Sequence, residues 1–332
     1  MKTLKFLGKS EVEIIETSIP EPMFGQVRIK TVVSALCGSE LSKYKGPGCT
    51  HGNDGHEAAG IVNKIGEGVS QDLLGKRVGI SAISGCGKCE YCAKGQFTWC
   101  PSFSFYGSMH AEYFVVPAMA CHPIPDEISW QAGVLLSGDG FGVPYHSNTK
   151  MEGYNIQSVA IFGMGAVGLG NLIMQHYNGR KVIAIDISET RLALAKEWGA
   201  VATINPSKIP DVPAAIKALT EGKGADVCIE AAGRPETAKN CFKAVKTNGL
   251  VVFNGEQVAV ELSPSDDFIR RDIRAVGAWY YHFNEYPAML EMYRKGLPVT
   301  QLITHTFPLD MASEAYKAMA GGMSGKVILQ YT

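Results

Sequence analysis

The chain has 332 residues, enough for two domains, with 46% apolar and 19% charged residues and a formal net charge of −1. That balance, with only one short basic run (RRDIR, 270–274), speaks against nucleic acid or an anionic membrane surface as partner. The opening MKTLKFLGKS lacks the apolar core of a secretory signal and no apolar stretch reaches bilayer length, so nine cysteines point to a reducing cytoplasm.

In chain order, the first 140 residues read as short strands broken by glycine and proline. VRIKTVVSALC (27–37), EAAGIVNKIG (57–66), KRVGISAIS (76–84) and AEYFVVPA (111–118) are β-branched runs of strand length. From about residue 155 the pattern changes. SVAIFG (158–163), KVIAID (181–186), ADVCIE (225–230), GLVVFNG (249–255) and IRAVGAW (273–279) are nearly continuous apolar runs. Helix-like stretches lie between them at 166–178, 188–199, 213–222 and 235–247. Strands buried on both faces and alternating with helices predict a parallel, doubly wound sheet. After Trp279, residues 285–296 and 310–322 read as helices and KVILQY as a last strand.

Three motifs carry chemistry. The first is Cys86-x-x-Cys89-x-x-Cys92-x7-Cys100, which brings four thiolates into one short loop, as a tetrahedral Zn²⁺ site requires. Disulfides are the rival reading, but a chain this long buries a core without staples and its cysteine count is odd. The second is Gly163-x-Gly165-x-x-Gly168, directly after an apolar strand and opening an apolar helix. There Gly163 makes the tight turn, Gly165 lets the backbone approach a pyrophosphate, Gly168 allows close helix–strand packing, and Val167 lies within the phosphate-facing turn. The next strand ends in Asp186, a carboxylate suited to ribose hydroxyls and repulsive to a 2′-phosphate, which favours NAD(H) over NADP(H). Arg191 is the counter-signal, because an arginine nearby could hold that phosphate. The third motif pairs Cys37, in ALCGSE, with His56-Glu57, in NDGHEAAG. Taken singly, a buried cysteine is a small hydrophobe and a histidine beside glycine is a surface residue.

Together, the CGS…GHE pair, the four-cysteine lobe, the later GxGxxG and the ending GKVILQY stand in an order that resembles the zinc-dependent medium-chain dehydrogenase family from end to end. The resemblance implies a GroES-like, β-rich catalytic domain over 1–141 and 280–332, with a structural-zinc lobe at about 84–102, and a Rossmann domain over 142–279. It implies two zinc ions per chain. Cys86, Cys89, Cys92 and Cys100 hold a structural ion, and Cys37, His56 and Asp139 hold a catalytic one in a cleft between the domains. Asp139 is the one ligand type in the matching segment VLLSGDGFG, though a glycine-flanked aspartate also suits a plain turn. Glu57 becomes a carboxylate behind the ligands or a fourth, exchangeable one.

The implied activity is hydride transfer between a secondary alcohol and NAD, with Ser39 hydrogen-bonding the substrate hydroxyl. Relatives continue a proton relay through a histidine where this chain has Ser42, and His51 is a candidate substitute. The polar loop before His56, with Trp279, Tyr280, Tyr281 and His282, suggests a polyol, sugar alcohol or aminocyclitol. Packing of those aromatics at a domain interface is the competing expectation. A simple aliphatic alcohol or aldehyde dehydrogenase, a zinc-free quinone or enoyl reductase, and a non-catalytic zinc- and nucleotide-binding protein are the alternatives. The expected partners are a hydroxylated small molecule and further copies of the chain, as homodimer or homotetramer.

Overall fold

The computed structural model describes residues 1–331, which divide into two compact units. One comprises Met1–Gly142, His282–Lys295 and the chain from Val299 onward; the other comprises Val143–Tyr281 with Gly296–Pro298.

The first unit starts with a hairpin of β1 (Lys2–Gly8) and β2 (Glu11–Glu16). Its tight turn places Lys9 and Ser10 at φ 54° and 68°, the left-handed pair that matches the twist of two antiparallel strands. Then follow β3 (Gln26–Ala35), α1 (Leu41–Lys45), β4 (Glu57–Ile65), β5 (Arg77–Ile80), β6 (Ile83–Ser84), α2 (Glu90–Ala93), β7 (Ser104–Phe105), β8 (Tyr113–Pro117) and β9 (Cys121–Pro123). Helix α3 (Trp130–Leu136) precedes α4 (Asp139–Thr149), in which the chain passes to the second unit.

The second unit alternates strand and helix: β10 (Ser158–Phe162), α5 (Ala166–Tyr177), β11 (Lys181–Ile185), α6 (Glu189–Glu197), β12 (Ala200–Ile204), α7 (Val212–Leu219), β13 (Ala225–Glu230), α8 (Pro235–Ala244), β14 (Val245–Phe253) and β15 (Arg274–Gly277). All six strands are parallel, in the order β12-β11-β10-β13-β14-β15. The chain winds outward from β10 in one direction and from β13 in the other, so the order reverses between these two strands. Ile161, Ile183, Cys228 and Val251 are fully or almost fully buried, as strands covered on both faces require.

The chain then returns to the first unit with α9 (Tyr286–Arg294), β16 (Ile303–Pro308), α10 (Ala312–Ala320) and β17 (Lys326–Gln330). Its seven-stranded sheet runs β16-β17-β3-β4-β5-β9, with β8 also paired to β3. One core gathers Val27, Ile29, Val62, Val78, Ile80 and Phe114; a second joins Leu4, Phe6 and Leu36 to Tyr316, Val327 and Leu329. Each such side chain contributes roughly 1.5–3 kcal/mol by leaving water. No helix among the described residues is long and apolar enough to cross a membrane.

Candidate metal centres

Among the described residues, two groups of His, Cys, Asp and Glu bring their donor atoms within 4.8 Å of one another. Both lie in the first unit. A tetrahedral zinc with ligands at about 2.0–2.3 Å separates its donors by roughly 3.3–3.8 Å, so the spacing within each group tests whether the ion fits.

Cys86, Cys89, Cys92 and Cys100 form the first group, between β6 and β7. Cys89 and Cys92 are 3.4 Å apart through sulfur, and Cys86 and Cys92 are 4.0 Å apart. The Cys86 backbone N–H donates to Cys100 Sγ at 3.3 Å, a bond that stabilises a thiolate. The Lys88 backbone N–H, with further hydrogen bonds, brings the Cys86 thiol down to about 6, while burial pushes Cys92 up to about 12. Four soft donors at these separations suit zinc and leave no position open. Aromatic packing anchors the lobe: Phe97 stacks on Phe283 at 5.0 Å and Trp99 meets His282 edge-on at 4.4 Å. The Asn284 N–H donates to the Gly95 carbonyl.

The second group is Cys37, His56, Glu57 and Asp139. Cys37 follows β3, the His56-Glu57 step begins β4, and Asp139 is the first residue of α4. Asp139 therefore lies in the first turn of an eleven-residue helix, whose dipole favours a negative charge there. Cys37 Sγ is 3.2 Å and His56 Nε2 3.1 Å from the same oxygen, Asp139 Oδ2. His56 Nδ1 lies 2.9 Å from the Asp54 carbonyl, an acceptor only, so Nδ1 carries the hydrogen and Nε2 presents its lone pair to the cluster. Burial and the Asp139 carboxylate push the Cys37 thiol up. Burial raises Asp139, but the hydrogen bond and charge of His56, with the Lys326 charge and the Cys37 hydrogen bond, together outweigh this and hold the carboxyl below its ordinary value. Burial lowers His56, and the Cys37 and Asp139 charges more than offset it. A sulfur, an imidazole and a carboxylate converging at these distances match the donor set and spacing of a zinc site with a coordination position to spare.

Glu57 lies behind this trio. It is fully buried, accepts the Gly140 N–H at 3.3 Å, and pairs with the Lys326 ammonium of β17. Burial pushes the Glu57 carboxyl up to about 7 against the opposing charge of Lys326. Sequence reasoning passed over Lys326, although a lysine opening an otherwise apolar strand signals a buried charge in need of a partner. It also passed over Phe105, whose ring is 5.2 Å from that of His56 and which is 48% exposed.

Ser39 and Ser42 are both exposed, and the Ser42 hydroxyl donates to the Ser39 carbonyl at 3.0 Å. His51 is exposed in the loop before His56. The aromatic segment after β15 is largely committed to packing. Tyr280 and Tyr281 are buried and stacked at 4.7 Å, and His282 Nδ1 meets Thr98 Oγ1 at 2.8 Å, within the four-cysteine lobe. Trp279 differs: it is 41% exposed and lines a cavity of about 750 Å³ at the carboxyl ends of β14 and β15, with Phe253, Asn254 and Gly277.

In the second unit the glycine loop joins β10 to α5. Gly163 has φ 95°, and a Cβ there would stand 2.9 Å from the Ala232 backbone; a Cβ on Gly168 would meet the Gly163 carbonyl oxygen at 1.8 Å. Gly165 faces open space, which leaves the start of α5, and Val167 in its first turn, open to an anionic ligand. The Asp186 carboxylate accepts the Met164 N–H at 2.6 Å and the Ser188 N–H at 2.8 Å, tying this loop to the next turn. Ile187 beside it is 73% exposed, an apolar surface next to a carboxylate. The Arg191 backbone N–H is capped by Ser188.

Known proteins resemble this chain over its length. Residues 24–126 match the family model described as "Alcohol dehydrogenase GroES-like domain" and residues 166–295 the one described as "Zinc-binding dehydrogenase". An L-threonine 3-dehydrogenase of Coxiella burnetii is 30% identical, over 94% of each chain. A zinc-dependent alcohol dehydrogenase from Streptococcus pneumonia is 30% identical with a TM-score of 0.87, covering 100% of this chain and 98% of its own. An alcohol dehydrogenase of Escherichia coli CFT073, determined with NADH, is 26% identical with a TM-score of 0.87 over 99% of each chain.

Proposed function

The chain belongs to the zinc-dependent medium-chain dehydrogenase family, and from that premise we propose that it oxidises a secondary alcohol with NAD as hydride acceptor, its substrate being a polyol, sugar alcohol or aminocyclitol. The observation that carries this reading is the convergence of Cys37 Sγ and His56 Nε2 on one oxygen of Asp139. Zinc held by these three residues would supply Lewis acidity that acidifies a hydroxyl group, and NAD would supply the carbon that takes the hydride.

The chain's own residues do the rest. Asp54 fixes the His56 tautomer through Nδ1, so that Nε2 stays a ligand. Lys326 holds Glu57 by one carboxylate oxygen and the Gly140 N–H holds the other, keeping it as a charge behind the three ligands. The Ser39 hydroxyl hydrogen-bonds the substrate hydroxyl and, as it accepts that proton, gives its own to water. The Ser42 hydroxyl, held on the Ser39 carbonyl, steadies that loop. Gly163, Gly165, Val167 and Gly168 receive the pyrophosphate at the N-terminus of α5. Asp186 receives the adenosine ribose, favouring NAD over NADP, with Arg191 at the edge of that pocket. The four thiolates of the lobe hold a second, structural zinc, so the chain carries two. It works in the cytoplasm, a reading supported by nine cysteines without a disulfide, and the family resemblance implies a homodimer or homotetramer.

Phe105 favours a second reading, because an exposed ring beside His56 suits a simple aliphatic alcohol. Metal analysis and a substrate panel decide. The reading expects two zinc ions per chain, one lost in Asp139→Ala with activity down by about three orders of magnitude or more. Polyols with NAD should outperform polyols with NADP and simple alcohols with NAD. One zinc per chain with no turnover on any alcohol would refute it.

A further inference from the structure

A buried hydrogen-bond chain in the first unit serves none of these roles. Glu40, which ends the short turn after Cys37, is 1% exposed. Its Oε1 accepts the Cys37 backbone N–H at 3.2 Å and lies 3.8 Å from His56 Nδ1. Its Oε2 accepts from the Tyr316 hydroxyl of α10 and from His110 Nε2 at 3.1 Å. His110, wholly buried, turns its other nitrogen to Ser34 Oγ of β3 at 2.8 Å, and Ser34 Oγ is 2.9 Å from the Tyr331 hydroxyl. Because the carboxylate only accepts, the bonds run head to tail: Tyr331 to Ser34, Ser34 to His110 Nδ1, and His110 Nε2–H to Glu40.

His110 also reaches the other ligand loop. Its backbone N–H donates to Asn53 Oδ1 at 3.2 Å, and that oxygen accepts the Gly55 N–H at 3.0 Å. A Cβ on Gly55, the residue before His56, would stand 2.3 Å from the His110 ring. One imidazole therefore braces the Cys37 turn through Glu40 and the His56 loop through direct packing. A buried histidine that only filled core would need neither a polarised chain behind it nor contact with both loops.

We propose that His110 is a positioning residue for the Cys37–His56 metal pair, with Ser34 and Tyr331 fixing the orientation of its ring. This rests on the reading that Cys37, His56 and Asp139 hold a metal ion. Partners behind a ligand hold it at the angle and basicity the metal requires, and their loss costs about 10- to 100-fold in metal affinity.

The test uses the full-length chain loaded with Co²⁺ at both centres. Bands belonging to the Cys37 centre are identified by their loss in Cys37→Ser. His110→Phe keeps a ring against Gly55 but loses both hydrogen bonds, and should shift the visible cobalt bands and speed metal release to a chelator by about 10- to 100-fold. His110→Gln, which can still donate to Glu40, should recover most of the spectrum, and the four-cysteine centre should keep its metal throughout. A folded His110→Phe variant with unchanged bands and release rate overturns the inference. If that variant does not fold, Ser34→Ala and Tyr331→Phe leave the ring in place and decide the matter. Shifted bands in either support the inference, and unchanged bands in both refute it. A wild-type chain that takes up one cobalt, at the lobe, overturns the metal reading itself.

Discussion

His122 offers a measurement that isolates one buried side chain. It sits in β9, 1% exposed, stacked on Phe283 at 4.0 Å and on Tyr286 at 4.2 Å, each at 18°. Burial among aromatic rings disfavours the charged imidazolium and brings its pKa down from 6.5 to about 3. The unfolded chain has no such constraint and takes up the proton near the ordinary value. The stabilisation of the neutral ring is therefore complete above about pH 6.5 and is lost as the pH falls from there toward about 3. At about pH 5 the unfolded state gains about 1.5 pH units of protonation free energy, or about 2 kcal/mol, that the folded state forgoes. His122→Phe keeps an aromatic ring in the stack and removes the titration. Urea unfolding of both chains at about pH 8 and about pH 5 gives the comparison, and protonation of the other histidines, cysteines and carboxylates cancels because both chains share it. The variant should lose about 2 kcal/mol less than wild type between these conditions. Profiles parallel to within about 0.5 kcal/mol would show that His122 keeps an ordinary titration when folded, and the reasoning would fall.

Gly168→Ala should push α5 away from β10, costing about 1–3 kcal/mol in urea unfolding and weakening NAD binding about tenfold by fluorescence titration. Removing the carboxylate in Asp186→Asn should move the kcat/KM ratio toward NADP by about tenfold or more, read by assaying both cofactors side by side. Phe105→Ala should leave zinc content unchanged and shift relative kcat/KM from compact alcohols toward those with a bulky carbon chain, by about tenfold. An unchanged ratio across the panel would remove Phe105 from the substrate surface.

The parts of this molecule that declare themselves in sequence obey short-range rules. β10, β11, β13 and the second half of β14 announce themselves as nearly unbroken apolar runs, because strand segments covered on both faces have no solvent to offer a polar side chain. The four-cysteine lobe is visible because its cysteines sit a few residues apart. The β1–β2 hairpin is harder to see, since its alternation is weak and its turn uses Lys9 and Ser10 in place of glycine or asparagine. Asp139 reads as a turn residue between two glycines, yet it opens α4; Pro144 inside that helix hides the helical signal. Lys326, Glu40 and His110 escape detection for another reason. Each matters through a partner far away in the chain, and nothing local marks a charge as buried until the sheet order is known. The residues after β15 err the opposite way, since their aromatic and polar composition suggests ligand contacts while His282 is occupied with Thr98 and Trp99.

The pairing of Lys326 with Glu57 spans 269 residues, and β17, which carries Lys326, lies against β3 with Ile328 opposite Ala35. During synthesis Cys37 and His56 therefore leave the ribosome long before the strand that completes their sheet and neutralises the charge behind them. A nascent chain that has emerged only as far as α10 leaves Val33–Ala35 of β3 unpaired on the side away from β4 and carries an uncompensated Glu57. On the proposed reading of two zinc ions, acquisition of metal at this centre is tied to the last strand, whereas the four-cysteine lobe, local in sequence, can load while translation continues. That reading has the two centres of one polypeptide fill at different times.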